Sequence, residues 1–415
     1  MLIAFADRAL PALLTLLFVA LPTSITAIDT LLALLALALA VRAFDPALRA
    51  RDRFPLAAPI LAFAVVTLLS AALADAPRPA LWRAHHLGSF VLFLAAVNGF
   101  RDGAHVRGAL RWLYATAAVA SVHAIVQYWA CSSSVALPGW AGPVLRVNLE
   151  HCRTRPMPRA KGFFSIYMTL AGSLSATLAL MLAALVLGAG RVRGLLPATG
   201  LALIALGLTL VRSAWLGCAV AIGLLVLLTR RLALILPVVV ALVVGLAVPS
   251  TFHRFMTTFD PRDASTTERL YFWHAGLRMI ADAPLLGLGP GGVGRNYERY
   301  KHPDGLRAHT GHLHNNLVQI AAERGLLGLA AWLWIWVAFF RRAARIYRAL
   351  PAERGDDRAL VAGSLAAVAG FLVAGLFEYN FGDSEVIDLV LVAMALPFVV
   401  GGAAAAGASS TGTPR

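Results

Sequence analysis

Apolar runs recur along almost the whole chain, each long enough to cross a lipid bilayer as a helix. A hydrocarbon core needs about 17 to 25 apolar residues in helical form. Such runs are read near residues 9–25, 28–44, 57–74, 80–98, 108–130, 163–188, 194–211, 213–229, 232–249, 314–340, 359–377 and 385–402. Strands would need an apolar/polar alternation that these runs lack. Composition agrees, since 59% of the 415 residues are hydrophobic and 14% charged, where soluble domains carry about a quarter charged residues. The expected fold is therefore an all-α polytopic membrane protein, a single transmembrane domain over 1–415 with about 12 transmembrane helices. No small-residue cleavage site follows the first run and a second comes directly after it, so the first run is read as a span and not a removed signal peptide.

A net charge of +15 would suggest nucleic acid in a soluble chain, but in a membrane chain its meaning depends on which face carries the arginines. Short loops such as "VRAFDPALRARDR", "FRDGAHVRGALR" and "RRAARIYRALPAERGDDR" alternate with short loops poor in basic residues. That pattern puts the basic loops and both termini in the cytoplasm. Two long loops, 131–162 and 250–313, then fall on the external face, and both are basic. The first carries Arg146, Arg153, Arg155, Arg159 and Lys161; the second carries Arg254, Arg262, Arg269, Arg278, Arg295, Arg299, Lys301 and Arg307. Long loops translocate largely regardless of charge, so these arginines can be tolerated and solvated. Loops of this length are nevertheless uncommon unless functional, and an external ligand rich in negative charge fits them better. Within the second, "TTERLYFWHAGLRMIADAPLLGLGPGG" spaces Leu270, Trp273, Leu277 and Ile280 as one face of an amphipathic helix ended by Pro284 and Gly287.

Of three cysteines, Cys131 and Cys152 share the first loop and Cys218 lies inside a span. On an oxidising face a Cys131–Cys152 disulfide and two free thiols are both open readings. The chain contains no CxxC, HExxH or P-loop pattern and no repeat of fixed period.

The polar residues that stand out are at span edges. "HLHNNLVQIAAERGLLGL" places His312, His314, Asn315 and Asn316 where the second long loop re-enters the membrane. The first turn of a helix has unsatisfied N–H groups and a positive dipole end, which favours a neutral imidazole able to take a proton. Helix capping is the structural alternative; two histidines below a basic loop favour function. In "LTLVRSAWLG", Arg212 caps a hairpin between two runs, a costly position for a cation unless it serves a site or snorkels to headgroups. Arg83, His85 and His86 in "LWRAHHLGS", and Glu378, Asp383 and Glu385 in "FEYNFGDSE", are further polar groups near the external boundary. Each can serve as an ion partner across the bundle, and the acidic group can orient His314 or bind a metal. No DxD pair is present, so a metal is not required.

His314 and Asn315, nine residues, Gly325, two residues and Gly328 match the motif of bacterial O-antigen ligases, and the wider "HNNLVQIAAERGLLGL" resembles the shared core of the O-antigen ligase and polymerase superfamily. Arg212 is similar to the family's arginine at the external end of a central span. Arg269 matches the arginine that opens the family's loop helix. "PRAKGFFSIYMTLAG" resembles the basic-then-glycine approach to the next span, without its usual asparagine. Specific residues match from about 205 to 330.

The resemblance implies a C-type glycosyltransferase-like fold with two long periplasmic loops. It also implies transfer of a glycan from an undecaprenyl diphosphate-linked O-antigen donor to the lipid A core acceptor, at the periplasmic face of the cell inner membrane. Arg212 and Arg269 would stabilise the leaving diphosphate and His314 would act as general base in an inverting transfer without metal or other cofactor. His312, Asn315, Arg295, Arg159, Lys161, Arg83 and His86 would contact substrates. The expected partners are the donor, the acceptor and membrane lipids, with no nucleic acid. A retaining reaction would instead make Glu378 or Asp383 a candidate nucleophile. O-antigen polymerase and O-linked protein oligosaccharyltransferase remain open alternatives. A flippase or transporter is a further one, although transporters hold ionisable residues near the bilayer midplane and those here gather at one rim.

Overall fold

The computed structural model describes residues 1–133, 159–188, 193–236, 239, 249–257 and 263–410, and the regular structure among them is helical throughout. Among the described residues nine helices are long and apolar enough to cross a membrane: α1 (Leu2–Ala20), α2 (Ile25–Arg42), α4 (Pro77–Gly99), α5 (Gly103–Ala130), α6 (Tyr167–Leu187), α8 (Arg212–Thr229), α11 (Asn316–Ala349), α12 (Gly355–Ala374) and α13 (Ser384–Ala403). Two shorter apolar helices, α3 (Ala57–Ala72) and α7 (Leu195–Leu208), occupy expected spans as well. The protein is thus an all-α polytopic membrane protein. The expected run 232–249 lies largely outside the described residues, as do Cys152, Arg146, Arg153, Arg155 and Arg262, so the Cys131–Cys152 question does too.

Helices α6, α12 and α13 form the centre of the bundle, buried almost all round, as expected for helices apolar on every face. Small residues let backbones meet there. A Cβ added to Gly217 of α8 would lie 2.5 Å from the Gly370 carbonyl oxygen of α12, and one on Gly370 would lie 2.6 Å from that of Gly217. Ion pairs and polar bonds tie the bundle at one end: Arg107 to Asp357 (3.3 Å), Arg42 to Asp7 (2.8 Å), and the Tyr347 hydroxyl to the Leu228 carbonyl (3.1 Å). The opposite end carries residues 263–313.

Those residues fold onto the bundle as α9 (Ala264–Asp282) and α10 (Gly292–Tyr300). Asp263 caps α9, its side chain accepting from the Thr266 N–H. The expected helix is present and stops before Pro284, but its buried face is turned, so that Trp273 and Ile280 pack at the edge of the contact and Leu270 and Leu277 leave it. Phe272, Ala275 and Met279 are buried with Leu313 and Ala322, while Leu270 and Leu277 are 55% and 61% exposed. The spacing of large side chains misled because Ala275 and Gly276 make the tight contact: a Cβ on Gly276 would overlap Val318.

The run 314–340, expected as one span, is two helical pieces. Gly325 has φ 65° and ψ −176°, a region open essentially to glycine alone. The break lets segment 284–288 pair with it: Leu326 donates to the Pro284 carbonyl (2.7 Å) and Leu288 to that of Ala322 (2.9 Å). A Cβ on Gly325 would overlap the Leu285 and Leu286 backbone, and one on Gly287 (φ 68°) that of Glu323 and Arg324. Gly287 and Gly325 thereby serve a junction between the loop region and a broken helix. Below it, Glu323 is buried and accepts from the Gly291 N–H (2.9 Å), Gln319 (2.9 Å) and Arg324 (3.0 Å), while the Ser70 hydroxyl of α3 donates to its carbonyl (2.8 Å).

Candidate active site

The His314 half of the site is fixed by backbone and amide bonds before any charge is considered. Asn315 caps α11, its side chain accepting from the Val318 N–H (3.1 Å) and donating to the Leu376 carbonyl (2.9 Å). Asn316 donates its backbone N–H to the Gly375 carbonyl (2.7 Å) and its side chain to Asn380 (2.7 Å). Together they bind the connection between α12 and α13 to the start of α11. That connection carries Glu378, whose Oε1 accepts from His314 Nδ1 at 2.8 Å. The bond assigns the proton of a neutral imidazole to Nδ1 and leaves Nε2 as the acceptor.

Glu378 Oε2 lies 4.0 Å from Arg269 of α9, an ion-pair distance too long for a hydrogen bond, and that oxygen has no hydrogen-bond partner. Burial alone would raise the Glu378 pKa, but the bond from His314 and the neighbouring positive charges outweigh it and carry it below the usual carboxylate range. Burial lowers the pKa of Arg269, with Glu378 opposing.

Arg212 begins α8, directly after a tight turn in which Leu210 adopts φ 58°. Its guanidinium donates to the Thr257 carbonyl (3.0 Å), Asp263 (2.9 Å) and Ser265 (2.7 Å). Arg254 adds a second contact to Asp263 at 3.5 Å. Burial would raise the Asp263 pKa, yet the Ser265 and Arg212 hydrogen bonds and both arginine charges bring it down to about 2. Burial, then the Arg212 charge, lowers Arg254 to about 10.

The two halves meet at a cavity of about 210 Å³ lined by Arg159, Tyr167, Arg212, Arg254, Arg269 and Arg307, with Ser265, Glu268, Phe272 and His314 among its other walls. Arg159, Arg212, Arg269 and His314 are thereby brought together as the sequence suggests. Two of the non-glycine residues with positive φ, Leu210 (58°) and His314 (50°), line it too, and backbone strain of this kind clusters at functional sites.

The remaining sequence candidates sit elsewhere. His312 packs against His314 with ring centroids 4.2 Å apart, and burial lowers its pKa to about 4. Asn315 lies beneath the cavity with its amide committed to the cap and the loop. Lys161 donates its backbone N–H to Gln127 (3.1 Å) and does not line the cavity. Arg83 and His86 line a separate small cavity with Arg324, and Arg295 donates to the Pro290 carbonyl at 3.3 Å. Asp383 accepts from Thr169 at 2.6 Å, also away from the cavity.

Sequence reasoning did not single out Arg254, Asp263, Glu268 or Arg307 as site residues. Asp263 was recoverable as a cap, since it stands directly before the helix that opens "ASTTERL"; Arg254 and Arg307 stood out only as members of a basic loop, and Glu268 carries no local signal. His312, His314 and Glu378 offer ligand atoms within 4.8 Å of one another, the spacing of a metal site. Arg269 beside Glu378, and the engagement of His314 Nδ1 by that carboxylate, oppose a divalent cation there.

The fold and cavity define a class: a multi-pass helical membrane protein with an imidazole–carboxylate pair beside a cluster of arginines at one end of the bundle. Residues 197–333 match the family model described as O-antigen ligase. The matched stretch, about a third of the chain, holds Arg212, Arg269, His314 and both junction glycines. A search of curated proteins finds no match.

Proposed function

We propose that the protein is an O-antigen ligase, transferring glycan from undecaprenyl diphosphate to the lipid A core oligosaccharide in lipopolysaccharide biosynthesis. The observation that carries this reading is one cavity shared by His314, its proton position set by Glu378, and by Arg212 and Arg269. The acceptor hydroxyl gives its proton to His314 Nε2 as its oxygen attacks the anomeric carbon. The bond from that carbon to the diphosphate oxygen breaks, and the leaving diphosphate carries away the electron pair. Charge grows on the diphosphate during this step, so arginines aimed at it stabilise the transition state more than the ground state. A direct displacement inverts the anomeric centre. Engagement of Glu378 by His314, and of Asp383 by Thr169, supports inversion over use of either carboxylate as a nucleophile.

A lipid-linked donor places its diphosphate at headgroup level, which agrees with arginines at the rim of the bundle. We assign this rim to the periplasmic face of the inner membrane and both termini to the cytoplasm. Reconstituted protein supplied with lipid-diphosphate-linked glycan and three acceptors tests the reading. Transfer to lipid A core supports a ligase. Elongation of lipid-linked glycan alone would mean a polymerase, and glycosylation of protein alone the protein-modifying relative. The His314→Ala variant, still inserted and folded, is expected to transfer nothing.

A further inference from the structure

The arginines of the cavity are not equivalent. Arg212 and Arg254 share Asp263, and Arg269 shares Glu378 with His314. Arg159 and Arg307 have no carboxylate within ion-pair distance among the described residues, yet both line the cavity. Each is presented by deliberate local anchoring. Ala160 donates its N–H to the Leu208 carbonyl (3.0 Å), fixing the neighbouring Arg159, whose guanidinium lies 4.4 Å from the centre of the Tyr167 ring.

Arg307 belongs to segment 301–315, which runs from α10 to α11. The buried Glu268 carboxylate receives both backbone N–H groups of the turn, Leu306 at 3.1 Å and Arg307 at 3.2 Å. The His302 ring stacks on Tyr271 at 4.4 Å, giving the segment a second anchor on α9. Spending a buried carboxylate on two loop amides, beside five arginines, makes sense if the product is a fixed Arg307.

Building on the ligase reading, we propose that Arg307 and Arg159 close on the diphosphate of the lipid-linked donor, and that Glu268 is the positioning residue for Arg307. Two guanidinium groups from different connecting segments match the non-bridging oxygens of two phosphates better than one charge does. A phosphate on the acceptor sugar offers the same oxygens. The donor is favoured because these arginines share the cavity with His314 and Arg269, where the leaving group must sit.

The test is equilibrium binding of farnesyl diphosphate to the full-length protein in detergent, with farnesol and a phosphorylated core oligosaccharide as comparison ligands. Arg307→Ala and Arg159→Ala are each expected to weaken farnesyl diphosphate binding roughly tenfold to a hundredfold, as loss of a charged hydrogen bond implies, and to leave farnesol unchanged. Arg307→Lys should recover part of the loss. Glu268→Gln should weaken binding in the parent and add little in the Arg307→Ala background; equal losses in both backgrounds would mean a merely structural role and overturn the positioning assignment. Unchanged diphosphate affinity in both arginine variants, or weakening confined to the phosphorylated oligosaccharide, overturns the clamp. Because binding needs no transfer, absence of ligase activity would refute the ligase reading while leaving this result intact.

Discussion

His314 Nδ1 donates to Glu378 across 64 residues of sequence at 2.8 Å, and the same carboxylate faces Arg269 at 4.0 Å. One acidic side chain thereby sets the proton position of the imidazole and ties it to the cation cluster. Glu378→Gln keeps the shape but removes the charge that stabilises a protonated imidazole. Its kcat is expected to fall by about 10² to 10⁴, the usual scale of general base catalysis, with donor KM little changed. Steady-state kinetics with purified donor and acceptor check this, and parent-like kcat would remove Glu378 from the mechanism. Since its pKa is lowered in the fold, the stability it contributes is present above the ordinary carboxylate range and is lost as pH falls through the lowered value.

Asp383 has the opposite sign. Burial, with Glu385 beside it, raises its pKa to about 7, so the folded protein holds a proton that the unfolded chain has released. Stability therefore declines as pH rises from the ordinary carboxylate range through about 7 and levels off above it. Asp383→Asn imitates the protonated acid. Its unfolding temperature in detergent is expected to exceed the parent's at pH 8, by an amount reflecting a few kcal/mol, and to match it near pH 4. A parent advantage at pH 8 would contradict the account.

Gly325→Ala introduces a side chain where φ is 65° and where the Leu285 and Leu286 backbone already sits. Strain of this kind costs on the order of 1 to 3 kcal/mol before the overlap is counted. A lower unfolding temperature and lower yield of inserted protein are expected, and an unaltered melting curve would show that the junction can open without loss.

Dialysis against a chelator is expected to leave transfer at full rate, because Nδ1 of His314 is engaged by Glu378 and Arg269 adds positive charge beside that carboxylate. Restoration of a lost rate by one added divalent ion would make the 4.8 Å cluster of His312, His314 and Glu378 a metal centre.

What was legible in the sequence was whatever depends on local pattern. Apolar length gives the helices, and the spacing of His314, Gly325 and Gly328 points to the family that residues 197–333 match. Arg212 could be picked out because it stands at a span edge, where it starts a helix, and Arg269 through the family resemblance, although it lies in the second turn of α9. Glu378 was visible only as an acid near a boundary, since its partner is fixed by amides of Asn315 and Asn316 acting on a distant connection. Arg307 had no signal beyond its place in a basic loop because its position comes from Glu268 holding backbone atoms, which any residue type supplies. The exposed Leu270 and Leu277 show the converse failure, where size suggested a core and a small residue, Ala275, supplied it.

The joint between segment 284–288 and the break at Gly325 consists of main-chain bonds, and Leu285, Leu326 and Leu327 at it are all exposed, by about half their surface or more. Chimeras exchanging this segment among homologues would thus need bare α-carbons at positions 287 and 325, while the flanking leucines could be replaced by whatever aliphatic the donor sequence brings.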